Sequence, residues 1–403
     1  MPTLRFNDKN GQAFKAPDEL TIQDLFDKVK TTNKDGANKN VITNSAEHGL
    51  IPQREFFDKD IAVEGNTSKY TIIKDGDFVY NPRKSSTAPY GPFNCYTREE
   101  PGIVSPLYSC LTPKNKAYTP YLLYYFASPA WYSYIYHNGN QGGARHDRVG
   151  MTDDLLQGIP VLLPCQEEQD KITEFLSLYD KRITAQTFKV EVLETRRKGL
   201  LQQIFSQEIR FKADDGSEFP DWEPTPFGDV IEPFTIKTKT ENEDTLLSCA
   251  IEGMFLNSEL FDHQRGASNK GYLKIKLGTL ILSAQNLHLG NANVNLRFEH
   301  GIISPAYKTY NVTGCLPEFM GVWVKREAAK KFFFDATTTG ASQCRRNVDW
   351  DKLYSQEMEI PCEAEQRKIS AFVTLVDKQI QIEKGKLEAI KQVKKGLLQQ
   401  MFV

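Results

Sequence analysis

The sequence PCQEEQDKITEFLSLYDKRITAQTFKVEVLETRRKGLLQQIF occupies residues 164–205, and a related sequence closes the chain. Residues 361–402 read PCEAEQRKISAFVTLVDKQIQIEKGKLEAIKQVKKGLLQQMF. The two stretches align without a gap at a constant offset of 197, and 20 of their 42 positions are identical. An internal repeat of this length decides how the rest of the chain is interpreted.

Each copy carries an apolar seam, spaced alternately four and three residues, which predicts a coiled-coil helix. Polar residues interrupt the seam at Gln186 and Glu383, and bases interrupt it at Arg197 and Lys394. Polar seam residues weaken packing but fix the register of paired helices. The alternative is one buried helix used twice without pairing, although an exposed helix with one apolar stripe needs a partner. The apolar seam residues are Ile172, Leu176, Tyr179, Ile183, Val190, Leu193, Leu200, Ile369, Val373, Val376, Ile380, Leu387, Ile390 and Leu397.

The repeat continues outside the predicted helices. The connector LRFNDKNGQAF at residues 4–14 reappears as IRFKADDGSEF at residues 209–219. The segment GIVSPLY at residues 102–108 reappears as GIISPAY at residues 301–307. Both halves of the chain are therefore expected to share one frame.

Local patterns predict the elements of each half. In residues 70–80, two apolar runs around Asp75-Gly76 indicate a β-hairpin, and residues 272–282 are its counterpart. Short amphipathic helices are expected at residues 22–29 and 227–231. Pro120, with Thr119 as its cap, opens a further helix, and Pro317 opens the equivalent one at an offset of 197.

These patterns predict an α+β fold, with two pseudo-symmetric mixed α/β domains separated by two long antiparallel coiled-coil helices. Similar connectors precede the two domains, and the second of them follows the first long helix. By analogy, the end of the second long helix should return to the connector of the first domain. This return requires that the two helices pair antiparallel. Each 42-residue helix spans about 60 Å, a separation that suits two readers of sites one to two DNA turns apart. The expected boundaries are 1–160 and 208–358 for the domains, and 161–207 and 359–403 for the helices.

Composition limits the classes of protein that fit. Hydrophobic content of 40% and charged content of 25% are typical of a soluble globular protein. No apolar run approaches the length of a membrane span, the N-terminal residues lack the apolar core of a signal peptide, and seven cysteines without CxxC spacing indicate reduced thiols. We therefore expect a cytoplasmic protein without membrane contact. The net charge of −2 means that nucleic-acid binding would need local patches or a partner's charge.

Catalytic motifs are not apparent in the sequence. The stretch at residues 81–84 (NPRK) lacks the second proline and the aromatic residue of an amino-methyltransferase motif. GNQGG at residues 139–143 is not a dinucleotide-binding fingerprint, and there is no P-loop or HExxH motif. The six histidines are scattered, which favours surface or core positions over metal ligands. We expect no catalytic residues and no metal site.

Side chains that can read base edges cluster in matching segments of the two halves. Arginine pairs bidentately with guanine, and Asn or Gln pairs with adenine, whereas Thr, Ser and glycine amides suit phosphates. A solvated loop is the alternative for each residue. The candidate residues lie in matching segments of the two halves, but their side chains differ. This difference is required if the two halves read two different half-sites. The candidate DNA-binding residues are Asn81, Arg83, Lys84, Ser85, Gln141, Arg145, His146, Arg148, Gln285, Asn286, His288, Thr338, Gln343, Arg345 and Arg346.

The whole chain resembles the specificity subunits of type I restriction–modification systems. The resemblance rests on the duplicated P-x-x-x-EQ-x-K-I helix start, the KGLLQQ-x-F helix end, the paired GI-[VI]-SP-x-Y segments and the stretch IKDGDFVYN. Cys165 and Cys362 stand where a second proline or an aliphatic residue is common. The second predicted hairpin, which precedes Gln285 and Asn286, lacks the aspartate and arginine of the first.

The resemblance implies a non-catalytic subunit with two target-recognition domains, each of which reads one half of a split, asymmetric site in double-stranded DNA. It implies two modification subunits, which carry S-adenosylmethionine and dock on the long helices, and restriction subunits that translocate and cut DNA. This chain is expected to bind no cofactor of its own. A protein–protein scaffold and a stand-alone transcriptional regulator with two half-site readers are the alternatives.

Overall fold

The computed structural model describes residues 2–56, 67–139, 147–261, 268–339 and 346–403. The chain divides into two compact units. Unit 1 comprises Met1–Thr187 and Gly385–Val403, and unit 2 comprises Phe188–Lys384. Each unit thus contains the first part of one long helix and the last part of the other. The predicted α+β fold, with two similar domains and two long helices, is confirmed.

The first half of the chain supplies short strands and helices before the first long helix. They are β1 (Asp18–Thr21), α1 (Ile22–Leu25), β2 (Phe26–Lys28), β3 (Ile42–Ser45), β4 (Gly49–Pro52), α2 (Gln53–Phe56), β5 (Thr71–Ile73), β6 (Phe78–Tyr80), β7 (Phe93–Cys95), β8 (Gly102–Val104), β9 (Ser109–Pro113), α3 (Thr119–Ala127), α4 (Tyr132–Asn138), α5 (Asp153–Gln157), β10 (Pro160–Leu163) and α6 (Gln166–Phe205).

The second half follows the same order. Its elements are β11 (Glu223–Pro226), β12 (Ile231–Phe234), β13 (Leu247–Cys249), β14 (Met254–Leu256), α7 (Asn257–Leu260), β15 (Leu273–Lys276), β16 (Thr279–Ser283), β17 (Ala292–Val294), β18 (His300–Ile303), β19 (Tyr307–Val312), α8 (Pro317–Trp323), α9 (Glu327–Asp335), β20 (Thr337–Thr339), β21 (Arg346–Val348), α10 (Trp350–Ser355), β22 (Glu357–Ile360) and α11 (Glu363–Phe402).

The two units share one antiparallel sheet topology. A four-stranded sheet has the order β2-β9-β6-β7 in unit 1 and β12-β19-β16-β17 in unit 2. Three two-stranded sheets also correspond: β1-β10 with β11-β22, β3-β4 with β13-β14, and β5-β8 with β15-β18. The sequence repeat is therefore a repeat of strand pairing as well as of the helices.

The β-hairpin predicted around Asp75-Gly76 is wrong. A tight turn is present, with the Asp77 N–H donating to the Lys74 carbonyl at 3.0 Å and a positive φ of 88° at Gly76. The flanking strands nevertheless join different sheets, because β5 pairs with β8 whereas β6 lies between β7 and β9. The Gly76 N–H donates to the Tyr96 carbonyl at 2.8 Å, which directs the chain out of one sheet into the next. β15 and β16 repeat this arrangement.

Three helix predictions also need correction. The helix expected at residues 22–29 ends at Leu25, since the chain continues as β2 in the four-stranded sheet. Residues 227–231 form a 3₁₀ turn over Phe227–Val230. Thr119 is the first residue of α3 rather than its cap, which is Tyr118. Pro120 and Pro317 do lie in the first turns of α3 and α8, as predicted.

The core of each unit encloses the ends of the long helices. In unit 1, the end of α11 contributes Leu398, Met401 and Phe402 to a cluster that also contains Ile172 and Leu176 of α6. In unit 2, Leu201 and Ile204 of α6 join Ile369 and Val373 of α11. All the predicted seam positions of both helices are buried or half-buried. None of the described helices combines the length and apolarity of a membrane span.

The two bases in the seam form ion pairs between the long helices. In unit 2, Arg197 of α6 donates to both carboxylate oxygens of Asp377 of α11. In unit 1, the equivalent Lys394 of α11 donates to Asp180 of α6, and the Tyr124 hydroxyl donates to the same carboxylate at 2.7 Å. These pairs join an early residue of one helix to a late residue of the other, so the helix segments within each unit run antiparallel.

The repeated helix start ties each connector to a long helix. Arg5 forms a bidentate hydrogen-bonded ion pair with Glu168, whose side chain is 1% exposed. Arg210 forms the same pair with Glu365. Gln169 donates to the carbonyl of Pro164 at 2.7 Å and thereby caps the turn that precedes α6. The glutamate and glutamine of the repeated motif thus have defined structural roles.

The helix ends receive the connectors in equivalent ways. The Leu4 N–H donates to the Gln400 carbonyl at 2.9 Å, and the Ile209 N–H donates to the Gln203 carbonyl at 3.2 Å. Gln400 and Gln203 are equivalent residues of the two helices. The second contact joins neighbouring residues of the chain, whereas the first joins its two ends. Unit 1 is therefore closed by the return that the repeat predicted.

Replacement of Arg5 by alanine should destabilise unit 1 by about 3 kcal/mol, because the buried Glu168 carboxylate would lose its charged partner. Arg210→Ala should cost less in unit 2, since the Trp222 indole also donates to Glu365, at 3.0 Å. Hydrogen exchange at the start of α6 and of α11 measures both effects. Lys15→Ala is the control, because the Lys15 side chain is 82% exposed. Equal exchange in the Arg5 variant and the control would contradict this assignment.

Candidate nucleic-acid interface

A surface cleft in unit 1 brings together five of the predicted DNA-binding residues. Its lining includes Asn81, Arg83, Lys84, Ser85 and Arg148. The β3–β4 hairpin supplies further cleft residues that the sequence did not single out, namely Thr43, Ser45 and Glu47, and α2 supplies Gln53. The cleft therefore has a basic side and a side of hydrogen-bond acceptors and small polar groups.

Asn44 lies 3% exposed beneath the cleft and joins its two sides. Its amide donates to the Val79 carbonyl at 2.7 Å, and its side-chain oxygen accepts from Asn94 at 2.7 Å. The Asn81 amide donates to the Asn44 carbonyl at 3.0 Å. Because these polar groups are buried and mutually satisfied, they hold the hairpin against β6 and the loop that follows it.

Asn81 itself is 7% exposed, and both ends of its side chain are engaged within the protein. Besides the bond to Asn44, its side-chain oxygen accepts from the Arg83 N–H at 3.0 Å. This places Asn81 as a residue that shapes the loop. Arg83, Lys84 and Ser85 are exposed, and the Ser85 hydroxyl accepts from the Ala88 N–H at 3.1 Å.

Two arginines face the cleft from paired segments. Arg83 and Arg148 form an isolated antiparallel bridge, with the Val149 N–H donating to the Pro82 carbonyl at 2.8 Å. The Arg83 side chain is 62% exposed and lies 3.9 Å from the Asp147 carboxylate. The Nε atom of Arg148 is buried and has no hydrogen-bond partner among the described residues. The exposed guanidinium of Arg83 can bind a phosphate or a base edge.

The GI-[VI]-SP-x-Y segments build the same support in both units. At Gly102, a Cβ atom would lie 2.4 Å from Ile42 Cγ1, so only glycine lets β3 pack on β8. Gly301 is limited in the same way, by Leu247 at 2.4 Å. The Tyr307 hydroxyl donates to the Cys249 carbonyl at 2.9 Å. Burial raises the pKa of Tyr307 to about 12, which keeps the hydroxyl protonated as a donor.

Three predicted residues of unit 2 surround the 3₁₀ turn at Leu287–Leu289. Gln285 and Asn286 are exposed, and His288 is half-buried. The Asn286 N–H donates to Ser283 Oγ at 3.1 Å, and its carbonyl accepts from the N–H groups of Leu289 and Asn291. Asn286 is therefore held by its backbone, and its side chain projects from an ordered turn.

Two more predicted residues lie on the β20–β21 pair. Thr338 is exposed, and Arg346 is half-buried. The Arg346 guanidinium donates to Thr337 Oγ1 at 2.7 Å and to the Thr337 carbonyl at 3.1 Å, and it lies 4.0 Å from the centroid of the Phe334 ring. These contacts restrain Arg346 to one orientation. Gln141, Arg145, His146, Gln343 and Arg345 lie outside the described residues.

A buried polar cluster holds the tip of the β13–β14 hairpin in unit 2. Lys325 donates to the Ile251 carbonyl at 2.6 Å and to the side-chain oxygen of Asn293. Asn293 donates to the Ala250 carbonyl at 2.8 Å and to Cys249 Sγ at 2.9 Å. Desolvation lowers the pKa of Lys325 to about 8, partly opposed by Cys249 and Glu252. Within the described ranges, no three His, Cys, Asp or Glu side chains converge as metal ligands.

The lowered pKa of Lys325 predicts a pH dependence of the stability of unit 2. Between about pH 8 and pH 10, the unfolded chain binds the Lys325 proton more strongly than the folded chain, so this contribution to stability increases with pH. The stability difference between the native protein and Lys325→Met should shift in favour of the native protein by about 2 kcal/mol from pH 7 to pH 10. Denaturant unfolding measured by tryptophan fluorescence tests this. Lys331→Met is the exposed control, and a constant difference would contradict the prediction.

No protein-family model matches the chain. The chain is similar to one solved in a study of complex assembly and conformational transition of the type I R-M system, with a TM-score of 0.57, 12% identity, and coverage of 96% of this chain and 99% of that chain. It is also similar to the type I restriction-modification system S subunit from M. genitalium (TM-score 0.49, 14% identity, 100% and 99% covered) and to the HsdS subunit from Thermoanaerobacter tengcongensis (0.41, 13%, 98% and 99%). The fold comparison rests on the first of these structures. The predicted resemblance is thus confirmed at the level of the fold, which is one found in type I restriction–modification systems.

Proposed function

We propose that this chain is the DNA sequence-recognition subunit of a type I restriction–modification complex. The observation that carries the proposal is a frame that occurs twice, with the same strand pairing but different loop side chains. Two equivalent frames with different reading groups suit a split, asymmetric DNA site. The similarity of fold over nearly the whole chain supports the same assignment.

The domains at residues 1–160 and 208–358 each read one half-site. In the first domain, Arg83, Lys84 and Arg148 offer cationic donors around one cleft. In the second, Gln285, Asn286 and Arg346 offer amide and guanidinium donors on an ordered turn and a strand pair. Such groups read base edges in the major groove, whereas hydroxyl groups and backbone N–H groups contact phosphates. The net charge of −2 fits a subunit that shares its phosphate contacts with partners.

The long helices at residues 161–207 and 359–403 set the distance between the half-sites. A helix of 40 residues spans about 60 Å. The ion pairs Arg197–Asp377 and Lys394–Asp180 each fix the pairing of the two helices within one unit, which supports a role of the helices in spacing the half-sites. A coiled coil that needs a fixed register accounts for the basic residues in the largely apolar seam.

The same helices dock two modification subunits, which carry S-adenosylmethionine and perform methylation, and through them the restriction subunits. An apolar patch occurs at equivalent positions of both helices. In α6 it contains Phe175 and Leu178, the latter 51% exposed, and in α11 it contains Phe372 and Leu375, the latter 66% exposed. Because exposed apolar residues at two equivalent positions suit two copies of one partner, this patch supports a docking role.

Alanine at Arg83 or Arg148 should weaken DNA binding by about 1–3 kcal/mol if the side chain reads guanine. If the arginine contacts guanine, its loss should also relax the base preference at one position of one half-site. If it contacts phosphate, its loss should weaken the binding of all DNA sequences alike. The complex with the modification subunits is titrated against DNA libraries at several salt concentrations. Lys116→Ala, an exposed change outside the cleft, is the control. Unchanged binding in both arginine variants would mark the cleft as a solvated surface.

Insertion of seven residues into both long helices, between the two base–aspartate pairs, should lengthen the gap between half-sites. Seven residues preserve the phase of the seam and add about 10 Å, which corresponds to about two to three base pairs. The recognised half-sites should stay the same. Retention of the original gap with intact binding would show that the helices do not set the distance.

Leu178→Asp should reduce the binding of one modification subunit, and the double variant with Leu375→Asp should reduce the binding of both, because a charge would replace buried apolar surface. Analytical ultracentrifugation of the mixed subunits gives the stoichiometry. Val393→Asp changes another exposed apolar position of α11 and is the control. Complete assembly of the double variant would argue against this docking surface.

A further inference from the structure

The hairpins β3–β4 and β13–β14 are equivalent elements of the two units. Their first strands correspond at an offset of 205 and their second strands at 204, so the second hairpin is one residue shorter. Ile42 pairs with Pro52 in the first, and Leu247 pairs with Leu256 in the second. Their tips differ in sequence, with Ser45-Ala46-Glu47-His48 in one and Ala250-Ile251-Glu252-Gly253 in the other. Each tip contains one glutamate, Glu47 or Glu252, and both glutamates are exposed.

Both tips are fixed by side chains from neighbouring strands. In unit 1, the Asn94 amide donates to the Ser45 carbonyl at 3.1 Å. In unit 2, the equivalent Asn293 donates to the Ala250 carbonyl at 2.8 Å, and Lys325 adds the bond to the Ile251 carbonyl at 2.6 Å. A tip held by buried polar groups presents its exposed side chains in a defined place. Both hairpins therefore have the rigidity that a recognition element needs.

The first tip borders the cleft that contains the arginines. Ser45, Ala46 and Glu47 line the cleft together with Arg83 and Arg148. The Glu47 side chain is 69% exposed, and its nearest ion-pair partner is the adjacent His48, at 3.9 Å. A carboxylate repels phosphates, whereas it accepts a hydrogen bond from the cytosine N4 amino group in the major groove. Its place beside guanidinium groups suits a base edge rather than the DNA backbone.

We propose that the tips of the two hairpins are base-reading elements, in which Glu47 and Glu252 each accept a hydrogen bond from the amino group of a cytosine. This inference rests on the proposed function, and it adds the first hairpin tip to the cleft residues that contact bases. In unit 1, an arginine that reads guanine and a glutamate that reads cytosine would together define a G·C pair or two neighbouring pairs. In unit 2, Lys325 holds the equivalent tip in place.

The test uses the full chain in complex with its modification subunits and a DNA library randomised at each half-site. Glu47→Ala removes the acceptor and should lower the preference for cytosine by about 5- to 100-fold at one position of one half-site, and Glu252→Ala should do so in the other half-site only. Glu99→Ala and Glu241→Ala change exposed glutamates outside the tips and should leave both half-sites unchanged. Exchange of residues 45–49 with residues 250–253 should alter both half-sites.

The outcome of the library experiment distinguishes a failure of the hairpin inference from a failure of the proposed function. If the native complex reads a split sequence and both alanine variants keep the full preference at every position, the hairpin tips do not read bases. If the variants weaken binding to all sequences equally, the glutamates act through folding or the backbone, and the inference is again wrong. If the native complex shows no sequence preference at all, the proposed function itself is wrong.

Discussion

The ion pair between the long helices is the interaction on which the remaining architecture depends. Each unit forms an equivalent pair, Arg197–Asp377 in unit 2 and Lys394–Asp180 in unit 1, from residues that match in the two copies of the repeat. An apolar seam alone tolerates slippage by a heptad, whereas a charged residue in the seam is stable only opposite its partner. The pair therefore selects one register, and the connectors and sheets of each unit are built around that register.

The sequence repeat predicted much of this architecture because identical positions fulfil identical roles. The connector arginines at positions 5 and 210 pair with Glu168 and Glu365, and the repeated glutamine caps the carbonyl of the repeated proline. The return of the chain from Gln400 to Leu4 follows from the same equivalence. The partners of the bases in the seam could also have been found in the sequence, since Asp180 and Asp377 match at the offset of the helices.

Strand pairing was not predictable in the same way. The stretch around Asp75-Gly76 has the local chemistry of a hairpin, but the choice between a hairpin and a passage from one sheet to another is made by distant strands. The role of Asn44 was equally hidden, because its partners at Val79, Asn81 and Asn94 are remote in sequence. The cleft residues Arg83 and Arg148 were recognisable by type, whereas the hairpin that faces them became apparent only from the fold.

The arrangement assigns different tasks to buried and exposed residues. Buried groups such as Asn44, Asn293 and Lys325 hold loops in place, and the exposed side chains on those loops differ between the units. We propose that the two units read the two halves of one split DNA sequence. The most direct test is to determine which DNA sequences are bound by the complex of this chain with its modification subunits, selected from a random library. The account predicts two different short motifs separated by a gap of constant length, and a single continuous motif or a variable gap would contradict it.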